Sequence, residues 1–71
     1  MNLSELNIGI KRNVQEFSNS KLGGKLMSMG MLPGSEIQIV RKASAGKTYY
    51  IKVNGFCMAL RESEAKCILL N

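Results

Sequence analysis

Histidine, tryptophan and aspartate are absent from this sequence, proline occurs once and cysteine twice. Without histidine, the imidazole base, ligand and pH switch of ordinary enzymes are missing. The five carboxylates are all Glu and recur at no fixed spacing, which leaves little for a two-carboxylate or hard-metal mechanism. Cys57 and Cys67 do not share a Cys-x-x-Cys spacing, and each falls in a stretch that reads as strand. They are expected as core hydrophobes rather than metal ligands. Ser28, Ser35 and Cys57 have no histidine to activate them as nucleophiles. No catalytic, metal or cofactor site is therefore expected, and an enzyme is the class these residues favour least. No apolar run approaches the roughly 20 residues of a membrane span, and the first residues carry no secretory n-region and h-region. A reducing cytoplasm is the expected location.

What is present describes one small globular domain over residues 1–71, 45% hydrophobic and 21% charged, without a low-complexity segment. A core of this size supplies only about 3–5 kcal/mol of net stability without staples, so the sheet is expected to close economically. Ten Lys and Arg against five Glu give a net charge of +5. That balance suits nucleic acid, anionic lipid or an acidic protein face.

The hydrophobic period changes across Gly30-Met31-Leu32-Pro33-Gly34-Ser35. Ahead of it, the capping cluster Ser18-Asn19-Ser20 precedes Leu22, Leu26 and Met29 at i, i+4 and i+7, which predicts a helix between Ser18 and Met29. Gly23 and Gly24 each cost that helix about 1 kcal/mol relative to Ala, unless a close approach requires them. Gly30 suits the left-handed close of a helix, and Leu32-Pro33-Gly34-Ser35 reads as a type II turn with Pro33 and Gly34 at its centre. After it, Ile37 and Ile39 alternate with polar neighbours, as do Tyr49, Ile51 and Val53. Asn54-Gly55 calls for a type I′ hairpin turn, with Phe56, Met58 and Leu60 on the return strand. Arg61 to Ala65 reads as a polar turn with one helical turn begun by Ser63, and Cys67 to Leu70 as a last apolar strand. Near the start, Leu3, Leu6 and Ile10 suggest a turn or lid capped by Ser4 or Asn2, and Lys11 to Phe17 a strand interrupted by a bulge. Five strands with one helix between the first and second predict a mainly β fold, a small SH3-like barrel.

The segment Leu26-Met27-Ser28-Met29-Gly30-Met31-Leu32-Pro33-Gly34-Ser35, followed by Ile37-Gln38-Ile39-Val40-Arg41, resembles the FeoA family of small cytoplasmic SH3-like proteins of bacterial ferrous iron uptake. The likeness continues through the Gly46 loop, Tyr49 to Val53, and Ala59-Leu60-Arg61 with Glu64-Ala65. It covers about Lys11 to Leu70. The loop from Ala43 to Lys47 lacks the Pro and acidic residue that family members often carry there. The same fold also ends iron-dependent and manganese-dependent repressors, but with no helix-turn-helix ahead of it this chain is expected to be the transport accessory. The resemblance implies partnership with the ferrous iron permease FeoB, contact with the membrane only through that permease, and no enzymatic activity. Transition-metal binding is ascribed to the family at large, whereas this sequence offers only Cys57, Cys67 and scattered Glu.

A binding module leads on residue chemistry as well. Met27, Met31 and Leu32 meet at one backbone reversal, where unbranched thioethers suit an adaptable apolar contact. With Lys47 and the adjacent hairpin loop as a charged rim, they form the expected partner contact. Gly30, Pro33, Gly34, Asn54 and Gly55 are assigned to structural turns. Core filling is the competing use of the methionines: Met29 shares the face of Leu22 and Leu26, and for Met27 and Met31 both uses stay open. The rival class is a small basic barrel that stacks single-stranded nucleic acid on Tyr50 beside Lys52 and Lys42. Tyr49 and Tyr50 face opposite sides of their strand, leaving a single exposed ring, so nucleic acid is not the expected partner. A stand-alone metal-linked regulatory module, a redox role for the two thiols and a weak homo-oligomer stay open.

Overall fold

The alternation that begins at Glu36 becomes the spine of the fold in the computed structural model, which describes residues 1–71. Its elements are β1 (Lys11–Phe17), α1 (Ser20–Ser28), β2 (Glu36–Ala43), β3 (Thr48–Val53), β4 (Phe56–Arg61), α2 (Glu62–Cys67) and β5 (Ile68–Leu70). All strand pairs are antiparallel, in the order β4-β3-β2-β1-β5, so the sheet is not closed by hydrogen bonds and β4 and β5 form its ends. The mainly β, SH3-like fold with a helix between the first two strands is the one expected. The single helical turn expected near Ser63 is instead a second helix, α2, which begins at Glu62 and takes in Cys67, a residue read from the sequence as strand.

β1 explains its own broken alternation. Its first half, Lys11 to Asn13, pairs with β2, while Val14 to Phe17 pairs with β5 across a register shift. A strand that changes partner midway bends, and the bulge re-aims the side chains beyond it. Ile37, Ile39, Ile51 and Val53 of β2 and β3 are buried in one core cluster with Leu26, Met31, Ile68 and Leu70. The N-terminal segment joins it: a short 3-10 turn, Leu3–Glu5, is capped by Asn2, whose side chain accepts from the Ser4 N–H, and buries Leu3 and Leu6. Ile10 stays exposed.

Gly23 has a packing reason. A Cβ placed there would lie 2.8 Å from the Phe17 Cβ, so the glycine lets α1 sit down on β1, whereas a Cβ on Gly24 would meet nothing.

Candidate functional site

The last turn of α1 sets the geometry of the site. Met29 is the C-cap, the Gly30 N–H donates to Met27 O at 3.0 Å, and the Met31 N–H donates to Leu26 O at 3.0 Å. With Gly30 at φ +98°, this is a Schellman close, whose residue after the glycine packs back on the helix three residues before the cap. That residue is Met31, and both it and Leu26 are fully buried. The expectation of Met31 as a contact residue is corrected: the helix close turns it into the core.

The next reversal is clamped on two sides. The Ser35 N–H donates to Leu32 O at 2.9 Å with Gly34 at φ +93°, closing the four-residue turn around Pro33 and Gly34. The Gly34 N–H reaches Val14 O at 2.7 Å, tying the turn to β1. Ser35 is buried, and its Oγ accepts from the Leu32 N–H at 3.0 Å and from Asn54 Nδ2 at 3.2 Å. Asn54 Oδ1 accepts from the Glu36 N–H at 3.0 Å. Asn54 and Gly55 take φ +48° and +89°, the type I′ geometry that a two-residue hairpin requires. One asparagine thus shapes the β3–β4 hairpin and fastens it to the turn after α1.

Several large apolar side chains on the segments joined by this clamp are exposed. Met27 on α1, its C-cap Met29 and Leu32 beyond it are each about half exposed, and Phe56, first residue of β4, is 75% exposed. Met29, Gly30, Val53, Asn54, Phe56 and Met58 line a cleft of about 190 Å³ between the helix end and the hairpin. Met29, expected on the core face with Leu22 and Leu26, stands out of it because the helix ends beneath it. Sequence reasoning missed Phe56, placing it on the return strand's apolar face. It pairs with Val53 and shares that face, but it opens an end strand where no element lies beyond it. The two-residue hairpin immediately before it is the signal that could have found it.

Lys47 is exposed but does not rim this cleft. It precedes Thr48, which pairs with Ala43, at the end of the ladder opposite the Ile37–Val53 pair. Five residues of strand, about 16 Å, separate the two ends. Lys47 instead stands beside the far end of β4, since Thr48 pairs with Arg61 and the Glu62 N–H donates to Lys47 O at 3.0 Å.

The opposite face of the sheet carries a second groove, of about 520 Å³, lined by Val40, Arg41, Tyr50, Ile51, Cys57, Met58 and Ala59. Tyr49 is buried and Tyr50 exposed. The Arg41 guanidinium lies over the Tyr50 ring, 4.3 Å from its centroid, so the exposed ring of β3 already has a stacking partner. Cys57 is exposed, which corrects the expectation of a core thiol, and Cys67 is buried. Burial, and then the charge of Glu64, push the Cys67 thiol above its ordinary pKa. Burial also pushes the Glu64 carboxyl up. Hydrogen bonds from Lys25 Nζ at 2.8 Å and the Arg61 N–H at 2.8 Å, with the charges of both residues, outweigh it and bring the carboxyl below its ordinary value. No three cysteine or glutamate side chains gather where they could hold a metal ion, and no helix is long and apolar enough to cross a membrane.

These features can be set against known proteins. A family model described as the FeoA domain matches residues 1–71. An FeoA-like protein from Clostridium acetobutylicum superposes with a TM-score of 0.90 at 38% identity, over 100% of this chain and 84% of its own. FeoA from Stenotrophomonas maltophilia, determined in complex with zinc and described as a procaryotic SH3 domain protein and candidate ferrous iron transport activating factor, superposes at 0.83 with 29% identity. The match covers 100% of this chain and 89% of that one. A manganese-dependent transcriptional repressor shares the fold alone, at a TM-score of 0.87 and 14% identity, over 99% of this chain and 39% of its own. No curated protein matches the sequence.

Proposed function

This chain belongs to the FeoA family, and from that premise we propose that it is a cytoplasmic accessory factor of ferrous iron uptake acting by contact with the ferrous iron permease FeoB. In this reading residues 1–71 work as a single binding domain, without catalysis or a resident metal, and meet the membrane only through the permease. The observation that carries the reading is the cleft at the end of α1, lined by the exposed Met29 and Phe56, with Met27 and Leu32 also exposed on the helix and turn beside it in sequence. Large apolar side chains clustered on the surface of so small a protein mark a contact site, and methionine adapts to a partner's shape. Single-stranded nucleic acid is the weaker reading, because Arg41 already covers Tyr50.

The test is association with the immobilised cytoplasmic portion of the permease, read beside the melting temperature. Leu32→Lys and Phe56→Lys change exposed positions and should leave Tm within about 2 °C of the parent. Each should weaken association about tenfold or more, as truncation of a contact anchor does. Met31→Lys is the folding control and should melt far earlier. Exposed-site variants that bind like the parent would remove the cleft as the contact.

A further inference from the structure

We propose that β4 is a docking edge for an extended acidic peptide segment, which adds to the sheet beside Cys57 and Ala59 and lays alternate side chains into the grooves on its two faces. The inference rests on the reading above only for which protein supplies the segment; the mode of contact is argued from the sheet itself.

The sheet has two ends, and only one is covered. At β5, the Leu70 N–H donates to Met1 O at 2.8 Å and Asn2 bridges Leu69, so the N-terminal segment lies along that edge. At β4, Val53 and Phe56 flank a two-residue hairpin. Antiparallel pairs alternate between hydrogen-bonded and non-hydrogen-bonded sites. Counting from that closing pair, the N–H and C=O groups of Cys57, Ala59 and Arg61 point away from β3. Arg61 bears this out: its outward N–H donates to Glu64 Oε1 at 2.8 Å. The chain's own α2 thus covers the last outward position and leaves Cys57 and Ala59 open. Exposed edges are usually blunted by lysine, proline or a bulge, and Phe56-Cys57-Met58-Ala59-Leu60 holds none of these.

The surroundings fit an added strand and give its chemistry. A strand presents alternate side chains to opposite faces, and β4 has an apolar recess on each: the cleft against Met29 and the groove against Val40 and Tyr50. Arg41 lines the groove, Lys52 pairs with Cys57, and Arg61 and Lys47 stand at the far end, where the acidic neighbours are Glu62 and the buried Glu64, itself paired with Lys25. A second copy would bring the same cations and a net charge of +5 to the edge, whereas an acidic segment complements it. Strand addition takes affinity from main-chain hydrogen bonds and specificity from alternate pockets.

The experiment titrates isotope-labelled protein with a synthetic hexapeptide of alternating glutamate and valine. The expected result is a shift of the Cys57 and Ala59 amide signals with slowed hydrogen exchange there, weakened by salt. Alkylation of the exposed Cys57 by iodoacetamide should slow with peptide present. Methylating the peptide nitrogens that face β4 should weaken binding about tenfold, the loss of one or two hydrogen bonds, and the lysine-valine counterpart should not bind. Ala59→Pro removes an outward donor at an edge position that tolerates proline and should abolish binding with Tm held. Should that variant melt early, the methylated peptide decides alone. No shift at about 1 mM peptide, equal binding of the methylated or of a proline-rich peptide, or dimerisation through β4 would each overturn the proposal.

Discussion

Asn54 joins the β3–β4 hairpin to the turn after α1. Its backbone takes positive φ for the hairpin, its Nδ2 donates to the buried Ser35 Oγ, and its Oδ1 accepts from the Glu36 N–H. Asn54→Ala should therefore cost about 1–3 kcal/mol, from lost hydrogen bonds and a left-handed conformation that alanine resists. Asn54→Gly keeps the backbone freedom and loses only the bonds, so chemical denaturation should rank parent, glycine, alanine in falling stability. A reversed order would assign the cost to backbone entropy. Turn residues are legible because their chemistry is local: Asn54-Gly55 and Pro33-Gly34 need only their neighbours. The surface is not. Periodicity gives Phe56 and Met29 a face, but exposure depends on what lies opposite, and for both that is the open cleft they line. Cys57 is a different case: alternation places it on the face opposite Phe56, paired with the exposed Lys52.

The two helices differ in how much of each the sequence displays. α1 showed a cap cluster and an apolar i, i+4 pattern, whereas α2 is six residues, too short to display a period. It is held by one tertiary and one local bond: Lys25 of α1 donates to the buried Glu64 of α2, which also caps the helix by accepting from the Arg61 N–H. Because the folded state holds the Glu64 carboxyl below its ordinary pKa, its contribution is present above about pH 4.3 and is lost as pH falls through the lower folded value. Glu64→Gln should lower stability at neutral pH and flatten this acid limb in melts across pH; an unchanged limb would assign it to the other glutamates. The glycines of α1 give an opposed pair. Gly24→Ala meets nothing and should stabilise by up to about 1 kcal/mol. Gly23→Ala drives its Cβ against the Phe17 Cβ at 2.8 Å and should cost about 1–3 kcal/mol. Equal responses to urea would mean that α1 does not rest on β1 through Gly23.

For the whole molecule, the organising fact is that an open five-stranded sheet has one end covered by the chain's own start and the other left bare. The N-terminal segment looked from the sequence like a turn or lid, a reading its apolar spacing supports but cannot place, since a lid's position is set by the element it covers. Here it does two jobs. Leu3 and Leu6 enter the core, and the backbone at Met1 and Asn2 pairs with Leu70 and Leu69. Leu3→Ala should therefore cost about 2–5 kcal/mol as a core truncation, and should also loosen the cover over β5. A mutation of equal cost elsewhere, such as Ile51→Ala in the central β3, would weaken the fold without uncovering an edge. The two variants separate the roles when light scattering is followed against concentration at a temperature where both remain folded. The Leu3 variant should self-associate and slow amide exchange at Leu70 should be lost, while the Ile51 variant should stay as monomeric as the parent. Matched behaviour would reduce the N-terminal segment to a core donor and leave β5 protected by its brevity.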